Sequence, residues 1–281
     1  MRDFLSDLPI VGDFMAQRPK VAVIRLSGVI ADAQMRRGAV CAARYAELIE
    51  KAFAVRDLRE VAIVVNSPGG APAQASLIAG LIRHCAADKK MPVTAFVEDV
   101  AASGGYWLAC AADKIYVQPA SIVGSIGVIA AGFGFEDFIR RHDIKRRVHT
   151  AGTSKAMLDP FLPEKKNDVQ RLESLQKEIH AQFIAWVRER RGNRLKGTEA
   201  DLFEGQIWTG AGAVANGLAD AVGDLRGVMH DKYGDKVRLM PFEPERGFVS
   251  SLLGTRAGRG GIAAEAMDAI EARGAWQRFG L

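Results

Sequence analysis

Short apolar runs alternate with amphipathic stretches over the first hundred residues. Val21–Leu26 (VAVIRL), Val61–Val65 (VAIVV) and Val93–Val97 (VTAFV) are rich in β-branched residues. Runs of this kind fit strands buried on both faces of a sheet. Between them, Val40–Val55 and Ala73–Ala87 repeat apolar residues at three- and four-residue steps. The positions are Tyr45, Leu48, Ile49, Ala52 and Phe53, then Leu77, Ile78, Leu81 and Ile82. That period gathers the apolar side chains on one helical face. Strand–helix–strand repetition predicts parallel pairing through right-handed crossovers, hence an α/β fold. Further short strands are predicted near Lys114–Val117, Ser125–Ile129 and Ile144–His149.

A long helix is predicted from about Pro163 to Arg191. Proline suits its first turn, Leu172, Leu175, Ile179, Phe183 and Trp186 form a stripe for packing, and Gly192 ends it. The uncharged run Ile115–Phe135 has the ~20-residue length of a membrane span. Its glycines (124, 127, 132 and 134) and Pro119 fit buried strands and loops instead. Near the N-terminus, Asp3, Asp7 and Asp13 interrupt the apolar stretch, which excludes a signal peptide. Phe4, Leu5, Leu8 and Val11 form one helical face, expected to dock on the core in preference to a membrane surface. With no span found, the expected location is cytoplasmic, with peripheral contact at the inner membrane as the other option. The layout expected is an N-terminal helical segment (1–19), one main domain (20–245) and a Gly/Arg-rich tail (246–281). The tail reads as a flexible linker over 247–261 with a weak helix at Ala263–Ala272.

Composition narrows the function classes. The 281 residues are 48% hydrophobic and 25% charged, which excludes wholesale disorder. Cys41, Cys85 and Cys110 are too few and too scattered for a disulfide framework, and no CxxC pair is present for a zinc ribbon. No metal or organic cofactor is indicated. The net charge of +5 is too small for a dedicated nucleic-acid binder. Two basic clusters, Arg140/Arg141/Lys145/Arg146/Arg147 and Arg188/Arg190/Arg191/Arg194/Lys196, read as solvated faces. No aromatic residues interleave them as a base-stacking platform would require.

Three glycine-flanked segments follow predicted strands: Asn66-Ser67-Pro68-Gly69-Gly70, Ala101-Ala102-Ser103-Gly104-Gly105-Tyr106 and Gly124-Ser125-Ile126-Gly127-Val128. In parallel sheets ligands bind beyond the carboxyl ends of the strands, so the three loops are expected at one edge. Ser103 reads either as an N-cap or as a nucleophile at a strand-to-helix turn. The two glycines after it are poor helix formers and make better sense where something approaches the backbone closely. Gly69-Gly70 reads either as a tight turn or as an oxyanion hole, in which backbone N–H groups meet a developing negative charge.

A serine nucleophile needs a base. None of His84, His142, His149, His180 and His230 stands beside a glycine-rich turn with an orienting carboxylate. Lys155 lies among small or apolar neighbours, with Asp159 the nearest acid along the chain. A free lysine titrates at ~10.4, so a lysine base must lose its proton about three pH units lower, a bias of roughly 4 kcal/mol against the charged form. Burial and a nearby cation such as Arg147 act in that direction. On the residues alone Lys155 also reads as an ordinary surface lysine, as do Lys165 and Lys166. GxSxG, Walker, HExxH and GxGxxG signatures are absent.

Together, Asn-Ser-Pro-Gly-Gly, Ala-Ala-Ser-Gly-Gly-Tyr and Gly-Ser-Ile-Gly-Val resemble the signal peptide peptidase A family of serine peptidases. Ile207-Trp208-Thr209-Gly210 and Gly217-Leu218-Ala219-Asp220 are similar to it too, so the match covers about residues 20 to 230. The resemblance implies a Clp-protease/crotonase-like α/β fold of repeated ββα units, with mostly parallel sheets flanked by helices. It implies a Ser/Lys dyad of Ser103 as nucleophile and Lys155 as general base. Gly70 and Gly104 would form the oxyanion hole, and Ser125 would orient the lysine. The implied substrate is an extended peptide with small and apolar side chains, such as a remnant signal peptide or a small protein fragment, paired to a strand edge. The implied assembly is a ring-like homo-oligomer in which neighbouring copies complete the dyad. The competing readings are an inactive ring-forming scaffold and a crotonase-type acyl-CoA enzyme.

Overall fold

The computed structural model describes residues 18–32, 38–152, 154–244 and 273–280. The N-terminal apolar face, the glycine/arginine linker and the weak helix expected at Ala263–Ala272 lie outside the described residues. The three β-branched runs form the middle of one mostly parallel, eight-stranded sheet among the described residues. β1 (Lys20–Ser27) is followed by α1 (Ala42–Phe53), β2 (Leu58–Ser67), α2 (Pro72–Lys89) and β3 (Val93–Ala102). β1 pairs with β2, and β2 with β3, all in parallel.

The rest of the chain extends this frame. α3 (Gly104–Ala109) leaves the end of β3, and β4 (Lys114–Val117) and β5 (Ile122–Gly124) return to it. β4 pairs along Thr94–Val97 and β5 along Val100–Ala102, so one long strand serves two short ones in succession. Next come α4 (Glu136–Arg141), the long α5 (Lys166–Arg191), α6 (Glu199–Phe203), β6 (Ile207–Thr209), α7 (Gly210–Ala215), β7 (Ala221–Val222), α8 (Leu225–Tyr233) and β8 (Arg238–Phe242). β6 runs antiparallel to β5, β7 extends the sheet beyond β4, and β8 closes the far edge beside β1.

Both faces of the central strands are covered. The larger core joins alternate strand residues such as Ile24, Ile63 and Ala95 to the apolar stripes of α1 (Tyr45, Ile49, Ala52, Phe53) and α2 (Ala75, Ile78, Ile82). The other face gathers Val21, Val23, Ala62, Val64 and Phe96 beneath Met229 of α8. Also within the sheet is the fully buried Glu60. Its carboxylate accepts hydrogen bonds from Thr94, Lys232 and Tyr233, which fastens α8 to the strands.

Several expectations need correction. No strand forms at Ser125–Ile129. The strand ends at Gly124, because Gly124 (φ 113°) and Ser125 (φ 52°) turn the chain out of the sheet. No strand forms at Ile144–His149 either; that stretch is exposed and has no partner strand among the described residues. The long helix begins at Lys166, three residues past Pro163, although Gly192 (φ 53°) does end it. Leu77 of α2 points outward, and the second half of the uncharged run, 129–135, is exposed rather than buried. The basic cluster at 188–196 is not wholly solvated, since Arg191 is buried and ion-paired.

Candidate active site

Parallel pairing brings the carboxyl ends of β1, β2, β3 and β5 to one edge. Ser103 follows the last residue of β3 and stands at the N-cap position of α3, yet its side chain makes no capping hydrogen bond. Its backbone sits at φ 52°, ψ −123°, a conformation that disfavours any residue with a Cβ. Two backbone hydrogen bonds fix it there. The Ser103 N–H donates to the Gly124 carbonyl (2.8 Å), and the Trp107 N–H donates to the Ser103 carbonyl (3.0 Å). A capping serine would use its hydroxyl and relax its backbone. Ser103 does neither, and holds its side chain half-exposed at the strand-to-helix turn.

Gly69 and Gly70 pack directly against this turn. A Cβ on Gly69 would lie 2.8 Å from the Ser103 Cβ and 3.0 Å from the Gly104 nitrogen. A Cβ on Gly70 would come within 2.0 Å of the Ile30 carbonyl oxygen. That carbonyl is held in place by accepting from the Ala71 N–H (2.8 Å), while Ile30 N–H donates to Gly69 O (2.9 Å). Glycine is therefore required at both positions for close packing as well as for positive φ. A Cβ on Gly104 would lie 3.4 Å from the Gly70 nitrogen, so these two peptide groups are neighbours. Neither N–H has an acceptor among the described residues. Two unengaged donors thus sit side by side next to Ser103, at the N-terminus of a helix. This arrangement favours developing negative charge.

Ser125 joins the same edge. Ala102 of β3 pairs with Gly124 of β5, so Ser103 and Ser125 occupy equivalent positions one residue beyond the ladder. Both are non-glycine residues at φ 52°. The Ser125 N–H donates to the Gln206 carbonyl (2.6 Å), and Ser125 is half-buried. Beside it, the His180 ring contacts the Ile126 carbonyl through Nε2 at 3.1 Å. Helical position alone concealed this approach of His180 to the edge.

Lys155 is a different case. It lies in the irregular stretch between α4 and α5 and is exposed. Its backbone N–H donates to Gly152 O (3.2 Å). Among the described residues its side chain makes no hydrogen bond or ion pair, with Ser103 or with any other group. The chain therefore assembles Ser103, Gly70, Gly104 and Ser125 at one edge and leaves Lys155 outside that cluster.

The support behind α3 was not anticipated. Arg190 donates to the carbonyls of Cys110 and Ala112, Arg194 to that of Asp113, and the Trp186 indole to that of Trp107. Trp107 stacks on Phe183. Arg191, 1% exposed, donates to Gly217 O (2.9 Å) and pairs with Asp220 (2.8 Å). Burial pushes the Asp220 carboxyl up, but hydrogen bonds from Arg191 and from the Ile115 N–H outweigh it and hold the group below its ordinary value. Burial alone drives the neighbouring Cys110 thiol up to about 12, so it stays a neutral, unreactive thiol. A short helix that begins at Ser103 is thus anchored at its other end by α5. The sequence signal was the Gly217-Leu218-Ala219-Asp220 motif and an arginine-rich helix end.

Residues 86–236 match peptidase family S49, more than half of the chain and a span that includes Ser103, Ser125 and Lys155. The chain belongs to this family. Protease 4 of Haemophilus influenzae, one of its relatives, is 31% identical over 229 residues, which cover 79% of this chain and 36% of that protein. Serine protease SPPA, chloroplastic, of Arabidopsis thaliana is 31% identical over 216 residues, 74% of this chain and 31% of that one. A Na(+)/H(+) antiporter NhaA of Brucella abortus is 45% identical over 279 residues, 95% of this chain and 38% of that one. The S49 chain thus spans about a third to two fifths of the length of these relatives.

Proposed function

We propose that this S49 chain is a serine endopeptidase that works through a Ser103/Lys155 dyad. The observation that carries the reading is the turn at Ser103: a strained serine with a free hydroxyl, beside two unengaged N–H groups from Gly70 and Gly104. In the proposed reaction the neutral Lys155 amine takes the Ser103 proton as Oγ attacks the scissile carbonyl. The carbonyl oxygen becomes an oxyanion that accepts from the Gly70 and Gly104 N–H groups. Lys155 returns the proton to the leaving amine, which departs and leaves an acyl group on Ser103. Water, deprotonated by the same amine, then releases the acid. The Ser125 hydroxyl orients the amine between these steps.

This chemistry requires a neutral amine, and burial is what favours that form over the charged one. We therefore propose that a second copy of the chain covers Lys155. Among the described residues, eight of the eleven exposed large hydrophobic ones lie between Ile129 and Leu175, on either side of Lys155 in sequence. Phe133, Ile129 and Phe138 are 81%, 69% and 57% exposed. Apolar side chains left exposed in such number along one segment are what an interface buries. Ring-like self-association, with an extended apolar peptide such as a signal-peptide remnant laid along the strand edge, is the assembly this supports. Among the described residues no helix is long and apolar enough to cross a membrane.

The test is hydrolysis of a fluorogenic apolar peptide followed by intact mass after a serine-directed phosphonate. The expected result is an adduct on Ser103, activity that rises with pH as the catalytic amine loses its proton, and none in Ser103→Ala. An active Ser103→Ala chain would refute the assignment.

A further inference from the structure

The end of the sheet opposite Ser103 holds a second concave site with different chemistry. β1 and β8 run in parallel from Lys20 and Arg238, and the Arg238 N–H donates to the Pro19 carbonyl (2.8 Å). That bond sets Arg18 beside the start of β8. The turn from α8 into β8 is fixed by Gly234 N–H to His230 O (2.7 Å) and Val237 N–H to Gly234 O (3.1 Å). Between these walls lies a hollow of about 550 Å³. Its polar lining is Arg18, Arg226, His230, Asp235, Lys236 and Arg238.

The charges here are not balanced. Leaving Lys236 aside, the lining carries three arginines, Arg18, Arg226 and Arg238, against one carboxylate, Asp235, which sits 2.7 Å from His230 Nε2. Among the described residues Arg18, Arg226 and Arg238 take part in no ion pair. Three guanidinium groups gathered without an ion pair repel one another, and an anion bound among them relieves that repulsion. The guanidinium fork matches phosphate geometry with two parallel hydrogen bonds. The volume lies within the range of small-ligand sites.

We infer that this hollow binds a phosphate group, carried either by a free phosphorylated small molecule or by the headgroup of an anionic phospholipid. The site lies at the amino ends of the strands, so its occupancy is independent of the Ser103 chemistry. Two probes separate the sources: inorganic pyrophosphate by calorimetry, and phosphatidylcholine vesicles containing phosphatidylglycerol by sedimentation. Each is run at physiological salt with the wild type, Arg226→Ala/Arg238→Ala, and the charge-matched control Arg171→Ala/Lys177→Ala on the exposed face of α5. The expected result is saturable binding of at least one probe, weakened about tenfold or more by the first pair and less than about twofold by the control. The probe that binds identifies the source. Both arginines are exposed, so the thermal midpoint of the first pair should match the wild type and exclude misfolding. Absence of saturable binding to both probes, or an equal loss in the control, overturns the inference.

Discussion

The turn that carries Ser103 and the stretch that carries Lys155 are built in opposite ways. Around Ser103 the neighbours are fixed: Gly69 and Gly70 in contact, Gly124 bonded to its backbone, and α3 anchored at its far end by Trp186, Arg190 and Arg194. Lys155 itself is exposed in an irregular stretch, and exposed phenylalanines stand just before α4 (Phe133, Phe135) and within it (Phe138). The first region is built within one chain, and in the proposed assembly the second is completed by another copy. A strained nucleophile needs a rigid frame from its own fold. A lysine base needs only burial, which a second copy can supply.

The largest effect expected from this contrast is on activity. Ser103→Ala and Lys155→Ala should each lower kcat by about 10⁴-fold or more. Lys155→Arg should be equally inactive, since a guanidinium does not deprotonate. The sharper test is in assembly and melting. Lys155→Ala should melt like the wild type when dissociated, because among the described residues that side chain makes no hydrogen bond or ion pair. A large loss of single-chain stability in Lys155→Ala would break the comparison.

The anchor of α3 should show next. Asp220→Ala leaves the buried Arg191 unpaired and should cost about 3–5 kcal/mol in denaturant titrations. The sign with pH follows from the lowered Asp220 carboxyl. Its contribution is present above the ordinary 3.8 and is lost as pH falls through the lower folded value. Asp220→Asn should therefore flatten the acid limb of the stability curve.

Smaller effects separate the two glycines of the proposed oxyanion hole. In Gly70→Ala the new Cβ would meet the Ile30 backbone at 2.0 Å with φ at 140°, so roughly 2 kcal/mol or more of stability should be lost. In Gly104→Ala its tightest contact would be the Ile30 Cδ1 at 3.0 Å, a flexible side-chain end, with the Gly70 nitrogen at 3.4 Å and Ala75 Cβ at 3.6 Å in ordinary contact, and the fold should remain close to wild-type stability. Smallest is Ser103→Gly. Strain of ~1–3 kcal/mol is released against ~0.5–1 kcal/mol of glycine entropy, so the inactive variant should gain about 1 kcal/mol. No gain in thermal melts would mean that Ser103 stores no strain.

Much of this frame was legible in the sequence, for physical reasons that also mark its limits. VAVIRL, VAIVV and VTAFV each read as strands because both faces are buried, and Lys114–Val117 was placed to the residue. Gly69-Gly70 and Ser103-Gly104-Gly105 stood out because close backbone approach leaves glycine as its trace. Ser125–Ile129 misled because β-branched residues continue past the point where Gly124 and Ser125 turn the chain away. The arginines at 190–194 read as solvent-facing because nothing local shows that the carbonyls just past α3 and Asp220, distant in sequence, lie beneath them. Where Lys155 goes is not local information either, since in the proposed assembly its surroundings belong to another copy.

The most direct test is the per-chain rate of peptide hydrolysis as the protein is diluted through its assembly midpoint, with mass followed by light scattering in the same samples. The account requires the rate per chain to collapse as the assembly dissociates, and to return on reconcentration. A dissociated monomer that keeps its full rate would show that Lys155 needs no partner copy, and would contradict the division of the site set out above.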